Sequence, residues 1–96
     1  MLVLRVLHSA PLHGYAIAQR IHQLSKDTLQ VEEGSLYPAL QRILVKGWAK
    51  AEWGTSDTGR RVRFYRLTAA GKKQLAAELE GYARTTEAIQ SVLKLA

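Results

Sequence analysis

The stretch from residue 33 to residue 67 constrains the fold most, because a short helix pattern runs directly into two β-favouring segments. The helix carries one apolar stripe at helical spacing, which consists of Leu36, Leu40, Ile43 and Leu44. Gly47 follows it and suits a left-handed helix cap. The segments 48–53 and 62–67 are rich in aromatic and branched residues and flank a polar, turn-rich loop, so they predict a hairpin.

Two residues set the predicted bounds of this helix at 35–46. Ser35 favours the N-cap position, where its side chain can accept a hydrogen bond from the first turn. Pro38 would then lie in the first turn, where its missing N–H has no intrahelical partner to lose. The outer face of the helix, away from the apolar stripe, would carry Pro38, Gln41, Arg42 and Val45.

Three further helices complete the predicted order of elements. An apolar segment at 2–7 forms a first helix that ends before Pro11, because proline disfavours helix in the residue before it. A second helix has its apolar face at Ile17, Ile21 and Leu24. Thr68 caps a final helix. The order α-α-α-β-β-α predicts a mainly α winged helix-turn-helix with a small β-hairpin at 1–67 and a C-terminal dimerisation helix at 68–96.

Positive charge is concentrated in one third of the chain. The net charge is +6, from 14 Lys or Arg and 8 Asp or Glu. The segment from Arg42 to Lys73 holds nine of these basic residues and only two acidic ones, Glu52 and Asp57. This localised excess predicts a polyanionic partner, whereas a basic face that serves solubility alone would be spread more evenly.

The final helix carries a heptad seam, made of Leu75, Leu79, Tyr82, Thr86, Ile89 and Leu93. Alternating spacings of four and three residues are typical of helices that pair. A helix of about 28 residues spans roughly 42 Å, whereas a compact chain of this size is on the order of 32 Å across. Part of the seam should therefore extend beyond the domain and form a homodimer. The alternative is that the helix folds back over its own core.

A winged helix-turn-helix places the second helix of its helix pair in the major groove of DNA. On this recognition helix, 35–46, Ser35 and Gln41 can form hydrogen bonds with bases. Tyr37 and Pro38 offer apolar surface to thymine methyl groups. Arg42 and Lys46 can reach phosphate or guanine. Tyr37 also lies at the edge of the core stripe, so packing is its alternative role.

The tip of the hairpin, residues 54–63 and here called the wing, is the second predicted DNA contact. Its arginines are Arg60, Arg61 and Arg63. Their long guanidinium side chains can clamp phosphates or enter a minor groove, or alternatively protect an edge strand from aggregation. Arg66 is predicted to pair near Glu52 or Trp48 instead of contacting DNA.

The remaining composition argues against an enzyme. The histidines His8, His13 and His22 lack the spacing of a helical metal pair, and His13, before Gly14, is predicted to cap a helix or contact the DNA backbone. With no cysteine, thiol sensing is impossible, and no cofactor is expected. A small organic effector, a partner protein or expression level are the remaining modes of control. Because no apolar run approaches the roughly 20 residues of a membrane helix, a soluble cytoplasmic protein is predicted.

Four motifs resemble the PadR family of bacterial transcriptional regulators. They are Pro11-Leu-His-Gly-Tyr15-Ala-Ile17, Gly34-Ser-Leu-Tyr-Pro-Ala-Leu40, Lys46-Gly-Trp48 and Arg63-Phe-Tyr-Arg-Leu-Thr-Ala-Ala-Gly71. The Gly-Ser-Leu-Tyr-Pro-Ala-Leu string is highly specific, whereas Leu-Thr-Ala-Ala-Gly occurs in many winged helices. The resemblance covers nearly the whole chain.

This resemblance implies a homodimeric repressor that binds an inverted-repeat operator in double-stranded DNA. By motif position it implies DNA contacts from Tyr15, Ser35, Tyr37 and Pro38. It also implies a dimer interface built from the final helix and the first helix, where the apolar residues Leu4 and Leu7 lie. The competing hypothesis is a winged-helix module that uses its basic hairpin to bind an acidic protein.

Overall fold

The computed structural model describes residues 1–94; Leu95 and Ala96, the end of the predicted unit 68–96, lie outside the described residues. Its elements are α1 (Leu2–Ser9), β1 (Leu12–His13), α2 (Gly14–Leu24), α3 (Glu33–Val45), β2 (Ala49–Thr55), β3 (Arg61–Leu67) and α4 (Ala69–Leu93). The predicted order of four helices and a hairpin is confirmed. One short strand, β1, is added to it.

The three strands form one antiparallel sheet in the order β1-β3-β2. The predicted hairpin is confirmed, with Ala49 opposite Leu67 at its base and Thr55 opposite Arg61 near its tip. Strand β1, which was not predicted, pairs with the other edge of β3 and sets His13 opposite Phe64. The sheet therefore fixes the start of α2 beside the hairpin.

The hydrophobic core draws on every helix and on the base of the hairpin. Its fully buried side chains are Leu4, Ile17, Leu36 and Leu40. Tyr65 and Leu67 of β3 and Leu75 of α4 close the core on the far side. Leu24 was predicted to share the apolar face of α2, but it is exposed because it is the last residue of that helix.

The structure corrects the predicted start of α3. The helix begins at Glu33, its N-cap is Glu32, and no side chain caps it, so the prediction of Ser35 as N-cap is wrong. Pro38 is consequently the sixth residue of the helix and lies beyond the first turn, and it cannot donate a hydrogen bond to the carbonyl of Gly34. Gly34 is exposed, so water can satisfy that carbonyl.

The predicted end of α3 is confirmed. Gly47 has a φ of 74°, in the left-handed region that glycine adopts without a steric penalty. Its N–H donates to the carbonyl of Leu44 at 3.0 Å, and the N–H of Trp48 donates to the carbonyl of Ile43 at 3.0 Å. This pair of bonds is a Schellman motif, which ends the helix and directs the chain into β2.

Thr68 joins the end of α3 to the start of α4. Its hydroxyl accepts from the N–H of Gly71 at 3.0 Å, which confirms the predicted N-cap, and donates to the carbonyl of Gly47 at 2.7 Å. Gly71 itself packs against the Trp48 carbonyl so closely that a β-carbon there would collide with it. The first turn of α4 is therefore an integral part of the winged-helix domain.

Beyond Leu75, its last buried residue, α4 extends away from the winged-helix domain. The molecule measures 57 × 29 × 22 Å along its principal axes, so the helix gives it one long dimension. The large apolar side chains exposed along the distal part are Leu79, Tyr82, Ile89, Val92 and Leu93. The alternative that the helix folds back over its own core is therefore wrong for this part of α4.

Three of the residues predicted for the dimer interface are buried within the chain itself. Leu4, Leu7 and Leu75 are only 1%, 2% and 4% exposed. These side chains already fill the core formed by α1, α2, the sheet and α4, so they have almost no surface left for a second copy. The distal seam residues, from Leu79 onward, remain available.

Candidate nucleic-acid interface

The residues predicted to contact DNA lie on the start of α2, on the outer side of α3 and on the wing. All of them are exposed except His13, which is half-buried: the exposed set is Tyr15, Ser35, Tyr37, Pro38, Gln41, Arg42, Lys46, Arg60, Arg61 and Arg63. Exposed polar and basic side chains next to each other on a rigid scaffold form a surface suited to a polyanion.

His13 connects α2 to the hairpin. Its Nδ1 accepts a long hydrogen bond of 3.4 Å from the N–H of Ala16, which confirms the predicted capping role. Its ring meets the ring of Phe64 edge-on, with centroids 5.6 Å apart and planes at 78°. This packing holds the first turn of α2 at a fixed position relative to β3.

Tyr37 packs against the first residue of α2. A β-carbon on Gly14 would lie 2.8 Å from the Tyr37 hydroxyl oxygen and 3.0 Å from the ring, so glycine is what allows the ring to lie there. Tyr37 is still 47% exposed. The two roles considered from the sequence are therefore compatible, because one side of the ring packs and the rest faces solvent.

Two adjoining cavities gather six of the predicted residues. The smaller, about 240 Å³, lies between the start of α2, Tyr37 and the hairpin, and Arg63 and Tyr15 also line it. The larger, about 550 Å³, is a cleft between α2 and the wing, and its wall includes Arg60 and Arg61. His13 and Tyr15 line both. The start of α2 and the wing thus form one continuous concave surface.

The remaining predicted residues lie along α3. Ser35, Pro38, Gln41 and Arg42 are exposed on its outer side. Lys46 is at the opposite end of the helix from Ser35, where its ammonium nitrogen lies 5.2 Å from the centre of the Trp48 ring. A cation over an indole face is attracted to it, so Lys46 has an intramolecular contact that the sequence did not indicate.

Two residues of this surface were missed by sequence reasoning. Gln19 lines the cleft, and its amide donates to the Tyr15 hydroxyl at 3.5 Å; its position four residues after Tyr15 on one helix face was the available signal. Trp53 lines the smaller cavity and contacts the side chains of Arg61 and Arg63. Its position opposite Arg63 depends on the pairing register of the hairpin, so no local pattern in the sequence indicated it.

The two faces of the hairpin differ in how their arginines are held. Arg66 forms an ion pair with Glu52 at 2.8 Å, as predicted, and this pair lies on one face. Arg61 and Arg63 lie on the other face, over aromatic rings. Only the second arrangement leaves the positive charge without a carboxylate partner in the part of the chain described.

Other kinds of site receive no support from residues 1–94. Within that range His, Asp and Glu residues do not form any group of three that could hold a metal ion. Each helix of the same range is too short or too polar to span a bilayer.

Comparison with known proteins identifies the family. The model of the transcriptional regulator PadR-like family matches residues 3–77. A transcriptional regulator of Mycobacterium tuberculosis is 36% identical over 78 residues, which are 78% of this chain and 69% of that protein.

Solved structures of similar proteins agree with this family assignment. A transcriptional regulator from Clostridium thermocellum is similar with a TM-score of 0.88 and 27% identity, over 97% of this chain and 90% of that one. A PadR family regulator from Clostridium difficile is similar with a TM-score of 0.81 and 26% identity, over 96% and 94% of the two chains. Members of this family are DNA-binding regulators and not enzymes, as the sequence predicted. The chain belongs to the PadR-like family of transcriptional regulators.

Proposed function

We propose that two copies of this chain form a repressor that binds an inverted-repeat operator in double-stranded DNA. The observation that carries the proposal is the common surface of α2, α3 and the wing, where exposed arginines border Tyr15 and Tyr37. In this proposal α3 enters the major groove, and the wing contacts phosphates or the minor groove.

The proposed DNA contacts divide by role. Ser35, Tyr37, Pro38 and Gln41 face base edges, so they discriminate between sequences. The cations Arg42, Lys46, Arg60, Arg61 and Arg63 contact mainly phosphates, and His13 and Tyr15 approach the backbone from the start of α2. The first group should set specificity, and the second should set affinity on any sequence.

The proposed dimer forms through the distal half of α4. Its exposed seam residues, Leu79, Tyr82, Ile89 and Leu93, with the half-buried Thr86 between them, offer a largely apolar stripe to the same stripe of a second copy. A two-fold axis there would present two α3 helices to half-sites about 34–36 Å apart, one turn of DNA. Operator symmetry would then mirror the symmetry of the dimer.

The proposal also includes control by a small organic effector. The cleft of about 550 Å³ between α2 and the wing has the size of small-molecule sites, and a ligand in it would occupy surface proposed for DNA. A compound that binds there should therefore weaken DNA binding in proportion to its own affinity.

We also propose a cytoplasmic location for this protein, because the cytoplasm is where a regulator meets bacterial DNA.

A gel-shift experiment tests the division of roles. The probes are the duplex upstream of the chain's own gene and a random-sequence duplex of equal length. The double variant Arg60→Ala/Arg61→Ala should weaken binding to both probes by the same factor, and Tyr37→Ala should reduce the difference between them. Arg66→Ala is the matched control, because Arg66 is paired with Glu52 on the other face, and it should bind like the wild type.

Salt dependence tests the electrostatic part. With about four phosphate contacts per subunit, log affinity should fall against log salt concentration with a slope of roughly −7 for the dimer. The wing double variant should have a shallower slope, and Tyr37→Ala should keep the full slope. An affinity independent of salt would refute the proposal, as would equal losses on both probes for every variant including Arg66→Ala.

A further inference from the structure

Trp53 is a large aromatic residue at the base of the wing that packing alone does not explain. It is 61% exposed, although indole is among the most costly side chains to leave in water. It lies directly opposite Arg63 in the hairpin. Side chains two residues apart on a strand share a face, so Arg61, Arg63 and Tyr65 project on the same side as Trp53.

The side chains on this face form a cluster of cations over aromatic rings, here called the stack. The guanidinium carbon of Arg61 lies 4.9 Å from the centre of the Trp53 ring, and that of Arg63 lies 6.0 Å from it. Arg63 is also 5.8 Å from the centre of the Tyr65 ring, so its guanidinium is shared by two aromatic side chains. Tyr65 is buried, which anchors the stack to the core.

Stacking and hydrogen bonding use different parts of a guanidinium group. The flat face rests on an aromatic ring, whereas the N–H donors lie in the plane and point outward. An arginine held in this way keeps its charge and its donors for a phosphate. A carboxylate partner, such as Glu52 for Arg66, offsets the charge and occupies a donor.

We propose that Trp53 is a positioning residue for DNA binding, which orders Arg61 and Arg63 before a phosphate arrives. This role rests on the proposed function of the wing. A flexible arginine loses rotamer freedom when it binds, and ordering it in the free protein removes part of that loss. Trp53 therefore raises affinity for any DNA sequence without contacting the bases.

Two substitutions at Trp53 distinguish the contribution of its aromatic face from that of its size. Trp53→Leu keeps an apolar side chain but removes the π face, whereas Trp53→Phe keeps a weaker one. On a 30-base-pair random-sequence duplex, Trp53→Leu should weaken binding about five-fold, and Trp53→Phe should stay within about two-fold of the wild type. Melting temperatures of the free proteins, measured in parallel, show whether each variant is folded.

A double-mutant cycle tests whether Trp53 acts through the arginines. In the background Arg61→Ala/Arg63→Ala, Trp53→Leu should cause no further loss of affinity. A residue that contacts DNA directly, or one that only stabilises the hairpin, would still cause its full loss in that background. A full loss there would overturn the positioning role, as would wild-type affinity for Trp53→Leu in the parent chain.

A measurement on the free protein distinguishes failure of this inference from failure of the proposed function. Ring currents of Trp53 should shift the side-chain proton resonances of Arg61 and Arg63 in NMR spectra, and Trp53→Leu should remove the shift while Trp53→Phe keeps part of it. Absence of the shift in the wild type would overturn the stack while leaving DNA binding intact. Absence of DNA binding by a wild type that shows the shift would overturn the proposed function and the positioning role with it.

Discussion

The two ends of α4 have the same helical conformation but opposite surroundings. At its start, Gly71 and Leu75 are buried, Gly71 packs against Trp48 and Leu67, and Thr68 caps the helix. Further along, Leu79 and Ile89 continue the heptad spacing, yet both are exposed. The heptad spacing therefore continues along the helix, and only the first part of the seam is covered by the chain itself.

Under the proposed dimer, this contrast separates two roles of one helix. The first turns complete the core of the winged-helix domain, so their contribution to stability does not depend on another molecule. The distal turns expose a row of apolar side chains that water disfavours. Their contribution should appear only when a second copy covers them, and this gives each end of α4 a distinct signature in mutagenesis.

The largest expected effect comes from Leu75→Ala. Removing this buried side chain from the core should lower the free energy of unfolding by about 2–5 kcal/mol. Because Leu75 is covered within the chain, the loss should be the same at every protein concentration. Urea denaturation followed by tryptophan fluorescence, at two widely separated protein concentrations, measures it.

The matched control at the other end of the helix is Ile89→Ala. This change should destabilise concentrated protein, where the proposed dimer forms, and the effect should shrink as the sample is diluted below the dissociation constant. The contrast between the two ends would fail if Ile89→Ala cost as much as Leu75→Ala in dilute protein. It would also fail if the loss from Leu75→Ala depended on concentration.

A charge on the distal seam should disrupt the dimer without unfolding the domain. Ile89→Asp would place a carboxylate in an apolar interface with no partner. We expect the dissociation constant of the dimer to rise by about 100-fold, equivalent to about 2.7 kcal/mol. Sedimentation velocity across a concentration series measures this, and far-ultraviolet circular dichroism checks that the helix content of the domain is kept. A wild-type chain that stays monomeric throughout the series would contradict the proposed interface.

The same contrast explains which parts of the fold the sequence could predict. Helix ends set by local chemistry, such as the Gly47 cap and the Thr68 cap, were predicted correctly because their capping hydrogen bonds join residues only a few positions apart. Heptad spacing predicted which side of α4 is apolar, but spacing carries no information on whether the chain or a partner covers it. Leu75 was assigned to the interface for this reason and is a core residue.

Errors elsewhere have a related cause. Strand β1 consists of two residues, too few for a periodic pattern, and it exists because Leu12 meets Tyr65, which is distant in sequence. Ser35 has the chemistry of an N-cap, but α3 begins two residues earlier without side-chain capping. Both features depend on how α2, α3 and the hairpin pack together, and that packing is not visible in a local window of sequence.

In the candidate nucleic-acid interface, too, features set by local sequence were predicted and features set by the pairing of distant segments were not. Residue type and helical spacing correctly predicted the exposed outer face of α3 and the basic wing. The stack of Arg61 and Arg63 on Trp53 was not predicted, because it depends on the register of the hairpin. Even a slip of one residue in that register would turn Arg63 to the opposite face.

A smaller effect is expected at the N-cap of α4. Thr68→Ala removes both the acceptor for the Gly71 N–H and the donor to the Gly47 carbonyl, and should lower the unfolding free energy by about 1 kcal/mol. Thr68→Ser keeps the hydroxyl and should retain most of the stability. Like Leu75→Ala, the change should act equally at all protein concentrations. A dependence on concentration would place the start of α4 in the dimer interface and contradict its assignment to the domain.

The smallest effect is expected on the polar side of distal α4. Glu80 and Arg84 form an exposed i,i+4 ion pair at 3.5 Å, and both occupy outer positions of the heptad, away from the seam. Arg84→Gln should therefore change the unfolding free energy by less than about 0.5 kcal/mol and leave the dimer dissociation constant within about two-fold of the wild type. Sedimentation velocity of Arg84→Gln, measured in parallel with Ile89→Asp, makes the comparison direct. The two residues lie in the same distal half of the helix and differ mainly in the side of the helix that they occupy. If Arg84→Gln weakened the dimer as much as Ile89→Asp, the copies would meet through the charged side of α4, and the apolar seam would lose its proposed role.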